Sequence, residues 1–492
     1  MSCFRTSSHG SWLIPLLLLA AAALGAGAAS SCPTLQGGMP GAAATGTRMP
    51  VVHKHGPCSP LANENGEVPS SHMEILAADQ RRVQYIHRRL SSETTTGEEP
   101  PSQLVPSSSR SSTPSPSSGS VLSSPPAMPS NQSSLSSSSS GSALYTGFYV
   151  VPIGLGTPTQ WYTVALDTGS DMTWVQCRPC FSCYKQKEPI FRPANSSTYA
   201  NIPCESPYCS ELDAKVCSPG HNCAYSLNYT DYSYTRGTYG HDDLTLRTDT
   251  IKDFRFGCSH NIWGLFGQSA GVLGLGRSRT SLMVQAWSKY GGVFAYCLPA
   301  DPTGTGFLDF GPGAAAMAAA AAKARLTPML TYKGPRYYYV GMTGIKVGGH
   351  LLPISPSVFS TAGTLLDSGT VITRLPPSAY RPLRAAFAKD MAVLGYQKAP
   401  GWFAMLDTCF NLTGFQGIVP LPTVSLVFQG GASLDVDATG ILYVANASRA
   451  CLAFAANRRD TDMAVIGSTQ QKTYSFMYDI GKKVVGFTPG AC

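Results

Sequence analysis

The chain has 492 residues, 43% of them hydrophobic and only 13% charged, so a sizeable apolar core is available, spread over about two to four domains. Its formal net charge of +8 comes from scattered basic residues without interleaved aromatic runs, which argues against nucleic acid as a partner. The nine histidines form no metal-ligand spacing, so no metal or other cofactor is expected.

In chain order, Arg5 and the apolar stretch Trp12 to Leu24 precede small residues around Gly25 to Ser30, the pattern of a secretory signal over residues 1–29. The apolar stretch is short for a membrane span. A chloroplast transit peptide is the alternative, because the first ten residues carry Ser, Thr and Arg but no acid. Residues 30–142 differ in texture from the rest. Leu76, Val83, Ile86 and Leu90 recur at spacings of seven, three and four, which predicts a helix over about residues 73–90, crowded by Arg81, Arg82, Arg88 and Arg89. Half of residues 101–142 are Ser and many others are Pro, too little apolar surface to order a segment, so a linker is expected.

From Ala143 onward, short apolar or alternating runs are separated by Gly, Pro, Asn and Asp, which reads as an all-β fold. Phe148 to Ile153, Asp243 to Leu246, Tyr337 to Val340 and Val424 to Phe428 are predicted strands. Leu282 to Lys289 and Ala379 to Ala388 are the helical candidates, and Ala314 to Ala324 reads as a surface insertion. Two lobes are expected, 143–330 with a Cys-rich insert at 177–223, and 331–492.

Two stretches nearly repeat each other: Leu166-Asp167-Thr168-Gly169-Ser170 and Leu366-Asp367-Ser368-Gly369-Thr370. Thr173 and Thr373 both lie six residues past their Asp, and each copy is followed about a hundred residues later by an apolar-apolar-Gly triplet, Val272-Leu273-Gly274 and Val465-Ile466-Gly467. Docked face to face, such halves would bring two carboxylates to about 3 Å, where they share a proton. The ionised partner then acts as general base on a water held between them, and the protonated partner as general acid. Thr168, Ser170, Ser368 and Thr370 supply hydroxyls for the carboxylates and backbone, while Gly169 and Gly369 permit the turn.

On these residues the chain, from about Tyr145 to Cys492, resembles pepsin-like aspartic endopeptidases of the plant nepenthesin-like and chloroplast-nucleoid type. The resemblance implies a bilobal β fold with a cleft, protein or peptide substrates, an acid pH optimum and a monomeric enzyme. It implies a flap hairpin at residues 228–237, with Tyr229 as the flap tyrosine and Trp174 as its hydrogen-bond partner. Thr230 and Tyr232 replace two family glycines there, which should stiffen the hairpin tip. The helix with its arginines, together with Val51 to Pro60, resembles a propeptide whose basic residues would meet the acidic cleft and keep the chain latent.

Fifteen cysteines suit an oxidising compartment, secreted or vacuolar. The twelve from Cys177 onward permit six bridges without fixing the connectivity, and Cys177-x-x-Cys180-x-x-Cys183 is also compatible with a zinc or iron–sulfur site. The family resemblance implies the pairs Cys177–Cys180, Cys183–Cys258, Cys204–Cys223, Cys209–Cys217, Cys297–Cys492 and Cys409–Cys451. Asn131, Asn195, Asn228, Asn411 and Asn446 are candidate glycosylation sites. Two rival functions share the residues: a catalytically inert binder that inhibits glycosidases, as some plant relatives are, and a DNA-associated chloroplast protein.

Overall fold

The structure is a computed structural model that describes residues 48–61, 71–94, 132–136, 148–213, 215–228, 233–264, 266–314, 324–334, 336–414 and 418–492. The predicted signal, most of the serine-rich linker, the flap residues 229–232, Asn131 and most of the Ala-rich insertion lie outside them.

Strands dominate, and twenty of them form one continuous hydrogen-bonded system that runs through both halves. The halves join where Val293–Cys297 pairs antiparallel with Ser475–Asp479. Aromatic rings fill that seam: Phe294 stacks on Tyr478 at 4.6 Å, and Tyr338 lies 4.4 Å from Tyr478. Buried aromatics of this size carry both area and ring–ring attraction, so the seam is a core rather than a hinge.

The expected strands appear as Tyr149–Leu155, Tyr234–Leu246, Tyr338–Val340 and Val424–Phe428. The two helical candidates form Leu282–Gln285 followed by Trp287–Tyr290, and Pro377–Val393. No helix among the described residues is long and apolar enough to cross a membrane.

Two pieces of the N-terminal region are built into this frame. Met49–His53 is inserted as a strand between Thr305–Phe310 and Tyr149–Leu155. The helix runs over His72–Thr94. It opens on a capping box: Ser71 N–H donates to Glu74 Oε2 at 3.0 Å, and Glu74 N–H donates to Ser71 Oγ at 3.2 Å. Ile75 and Leu76 pack into a cluster with Val371, Ile372 and Leu406, while Val83 and Ile86 pack with Tyr337, Tyr339 and Val465. Each such side chain contributes about 1.5–3 kcal/mol of burial, so the helix is fastened along the C-terminal lobe. The linker also departs from expectation. Gln132–Ser136 adds as a strand to Ile418–Pro422, because an edge strand rewards any extended segment through backbone hydrogen bonds alone.

Six disulfides are present between Cys177 and Cys492. Cys297–Cys492 and Cys409–Cys451 pair as the resemblance implies. The other four implied pairs, Cys177–Cys180, Cys183–Cys258, Cys204–Cys223 and Cys209–Cys217, are replaced. Cys177 joins Cys258 at a Cα–Cα distance of 5.3 Å, leaving Cys180 to Cys183. The reason is the sheet: Trp174–Gln176 runs parallel to Gly257–Ser259, which brings Cys177 beside Cys258. Cys204 joins Cys217 and Cys209 joins Cys223. Cys217 and Cys223 oppose each other across a hairpin, but Cys223 is buried with Cys209 whereas Cys217 is on the exposed side. Sequence spacing cannot register which face of a strand a cysteine takes.

Candidate active site

Asp167 ends the strand Gln160–Asp167, and Asp367 follows Thr364–Leu366. Each strand lies parallel to the strand of its apolar-apolar-Gly triplet, Gly271–Gly274 and Ala464–Ile466. The repeated threonines have one job in both halves. Gly274 N–H donates to Thr173 Oγ1 at 3.1 Å, and Gly467 N–H donates to Thr373 Oγ1 at 3.0 Å. Each hydroxyl thus ties the Asp-bearing loop to its neighbouring strand, which explains why the two echoes in the sequence travel together.

The loops also grip one another across the lobes. Thr168 N–H donates to Ser368 Oγ at 3.0 Å, and Ser368 N–H donates to Thr168 Oγ1 at 2.9 Å. Gly169 N–H donates to Asp167 Oδ1 and Gly369 N–H to Asp367 Oδ1, each at 2.9 Å. A Cβ on Gly169 would collide with Asp367 Oδ1, and a Cβ on Gly369 with Asp167 Oδ1. Glycine is therefore required here by close approach, not by turn dihedrals. Thr370 Oγ1 donates to Asp367 Oδ2 at 2.5 Å. Ser170 Oγ is buried beside Asp167 but makes no hydrogen bond of normal length.

Both carboxylates are buried, Asp167 at 5% exposure and Asp367 at 0%. Two buried carboxylates this close need a proton or a cation. Here a cation is supplied by Arg82 of the helix His72–Thr94. Its Nη2 donates to Asp167 Oδ1 at 2.7 Å and to Asp367 Oδ1 at 2.9 Å. Its Nε reaches Asp367 Oδ2 at 3.0 Å and its Nη1 reaches Asp167 Oδ2 at 3.2 Å. One planar fork thus spans the pair, the geometry that guanidinium provides and ammonium does not.

The pair is electrically uneven. Burial raises both carboxyls, and the Arg82 charge opposes it in both. For Asp167 burial prevails, helped by the Asp367 charge, and its pKa is raised. For Asp367 the Arg82 charge and hydrogen bond, the Thr370 hydroxyl and the Gly369 N–H prevail, and its pKa is lowered. The Arg82 charge and the Thr370 and Gly369 hydrogen bonds thus favour the charged form more strongly at Asp367 than at Asp167.

Of the other site residues expected from sequence, Trp174 is fully buried and packs edge-on against Phe266 at 5.0 Å. Cys223–Asn228 and Tyr234–Leu246, the strands on either side of the expected flap tip, pair as a hairpin, with Asn228 opposite Tyr234. Tyr229 itself lies outside the described residues, as do Thr230 and Tyr232. Asn195, Asn411 and Asn446 are exposed. Among the described residues no cluster of three His, Cys, Asp or Glu could hold a metal ion.

Two residues at the site carried no sequence signal. Asp79, three positions before Arg82, is wholly buried against Arg374 at 2.7 Å. Arg374 stands seven residues past Asp367, as Trp174 stands past Asp167.

Two family models match the chain, described as xylanase inhibitor N-terminal over residues 149–312 and xylanase inhibitor C-terminal over residues 337–489. An aspartyl protease family protein of Arabidopsis thaliana is 39% identical over 92% of this chain and 89% of its own length. Aspartyl protease AED1 of the same plant is 37% identical over 94% and 90%. Aspartic proteinase nepenthesin-2 of Nepenthes gracilis is 32% identical over 70% and 78%. The chain belongs to the plant pepsin-like aspartyl protease family, in the branch that holds the nepenthesins and AED1. Its fold is also that of the crystal structure of edgp, at a TM-score of 0.58 and 20% identity over 74% of this chain and 96% of that one.

Proposed function

We propose that this protein is an aspartic endopeptidase of the secretory pathway, made as a zymogen. The observation that carries the reading is the single guanidinium of Arg82 bonded to both Asp167 and Asp367. A pair of carboxylates held face to face by reciprocal loop contacts is suited to activating water, and a cation bonded to both excludes water from that position. The segment before the linker is then a propeptide, with Met49–His53 as its anchor and His72–Thr94 as its plug. Once it leaves, the carboxylates repel, one keeps a proton, and the pair hydrolyses peptide bonds at acid pH with Asp167 and Asp367 sharing the acid and base roles. Six disulfides fit passage through an oxidising compartment.

The printed description of the matching family models names xylanase inhibitors, so an inert binder is the competing reading. Both aspartates and their hydroxyl neighbours are retained here, which favours the enzyme. The test is a peptide-library cleavage assay at acid pH on the processed chain beside an Asp167→Asn variant. Cleavage by the former and a loss of about a thousandfold or more in the latter is expected. Equal activity of the two overturns the mechanism, and no cleavage by either supports the binder.

A further inference from the structure

One buried charge pair at the cleft is not used by the hydrolysis just described. Asp79 lies on the same helix as Arg82, three positions earlier, or about 4.5 Å along the axis. Its carboxylate is held on all sides by the C-terminal lobe. Oδ1 accepts from Val371 N–H at 2.5 Å. Oδ2 accepts from Ile372 N–H at 3.3 Å and from Arg374 Nη2 at 2.7 Å. Val371 directly follows Thr370, whose hydroxyl touches Asp367, so this cradle adjoins the catalytic loop.

Arg374 is 1% exposed, and Asp79 is its one ion pair among the described residues. Its own lobe gives it only the Ile372 carbonyl, at 3.0 Å from Nη1, and leaves Nε without a hydrogen bond. A guanidinium buried with no counter-charge in its own lobe needs a carboxylate from elsewhere, or water in its place. In the latent chain the helix supplies it. When the helix leaves, a substrate lying in the same cleft is the group placed to replace it.

We propose that Arg374, with the Val371 and Ile372 amides, forms a carboxylate subsite of the mature cleft, selecting peptides with Asp or Glu within a few residues of the bond cut. The proposal rests on the endopeptidase reading and names the substrate class of that site. Asp79 is then a built-in substrate mimic. The selection is sharp because a neutral side chain would leave the guanidinium and two amides unmet, whereas a carboxylate satisfies all three.

The full chain, matured by processing, is assayed at about pH 5.5, where a Glu side chain is ionised. Peptide twins differ only in Glu against Gln, placed in turn at each of the four positions on either side of the bond cut. The expected result is one position at which the Glu twin has a kcat/KM about tenfold to a hundredfold higher, carried mainly by KM, and a ratio that collapses in Arg374→Gln. A wild-type ratio near one at every position overturns the proposal whether or not the variant folds. So does a preference that survives Arg374→Gln or resides in kcat alone. Cleavage of neither twin removes the endopeptidase reading and the subsite with it, whereas equal cleavage of both removes the subsite alone.

Discussion

Trp174 and Arg374 occupy the same place in the two halves, each seven residues past its aspartate. Both are almost fully buried, yet they are satisfied in opposite ways. The indole packs against Phe266 of its own lobe. The guanidinium finds its counter-charge on Asp79, 295 residues earlier in the chain. One lobe therefore supplies a packing partner of its own at this position, and the other is completed by a segment that lies across it. The same contrast recurs three residues past each aspartate: Thr370 is bonded to Asp367 at 2.5 Å, while Ser170 makes only a longer, weaker contact with Asp167. Duplicated sequence gives duplicated backbone, but side-chain satisfaction depends on what each copy meets.

The sharpest way to break the comparison is to empty the shared plug. Arg82→Ala should remove the cation from between the carboxylates. If the helix keeps the chain latent as proposed, the unprocessed full-length variant is expected to cleave peptides at least about a hundredfold faster than the unprocessed wild type. An equally silent variant would place the block elsewhere along the helix.

Asp79→Ala leaves the Arg374 charge buried and unpaired, a change that costs about 3–5 kcal/mol. Denaturant unfolding of the full chain should register it, and Trp174→Phe should cost clearly less because no charge is stranded. A loss in Asp79→Ala below about 1 kcal/mol would mean that Arg374 finds another partner or water.

The Cys297–Cys492 bridge ties the seam strand to the last residue over a separation of 195. Replacing both cysteines with Ser should cost about 2–5 kcal/mol, read as a lower denaturant midpoint.

The pH response of the closed state follows from opposed shifts: burial raises Asp79 and Asp167, so their contributions fade as pH rises, whereas Asp367 and the helix residues His72 and His87 are lowered, so theirs fade as pH falls. Burial raises the Asp79 carboxyl above its usual value despite the Arg374 charge. Its contribution to closure is therefore complete below the ordinary Asp range and lost as pH rises through the raised value. Asp367 is lowered, so its contribution is complete above that range and lost as pH falls through the lowered value. Hydrogen-exchange protection of the amides from Leu76 to Ile86, corrected for intrinsic rates, should peak in mildly acidic solution. Protection that rises steadily into alkali would contradict this balance.

The smallest expected effect separates the two loops. Ser170→Ala should change stability by less than about 0.5 kcal/mol, whereas Thr370→Val removes a hydrogen bond to a buried carboxylate and should cost about 1–3 kcal/mol. Thermal unfolding of the two variants side by side distinguishes them.

Much of the candidate site could be read before any coordinates, because it is carried by local words in the sequence. Asp-Thr-Gly-Ser and Asp-Ser-Gly-Thr, the threonines six residues on and the apolar-apolar-Gly triplets each specify a strand, a turn or one hydrogen bond. The helix was legible for the same reason, from apolar spacing. The bridges among Cys177 to Cys258 were not, because a disulfide depends on which strands become neighbours and which face each cysteine takes. The strand Gln132–Ser136 has no signature in its own composition, because its order comes from the edge it joins.

By itself, then, the sequence determined the duplicated plan, the two aspartates and a basic amphipathic helix, since periodicity and turn chemistry act over a few residues. Tertiary structure alone decided that Arg82 would span both carboxylates, that Asp79 would answer Arg374, and how eight of the cysteines pair. Those outcomes belong to groups far apart in the chain. Burial brings them together, and a buried charge accepts only the partner that the fold places within reach.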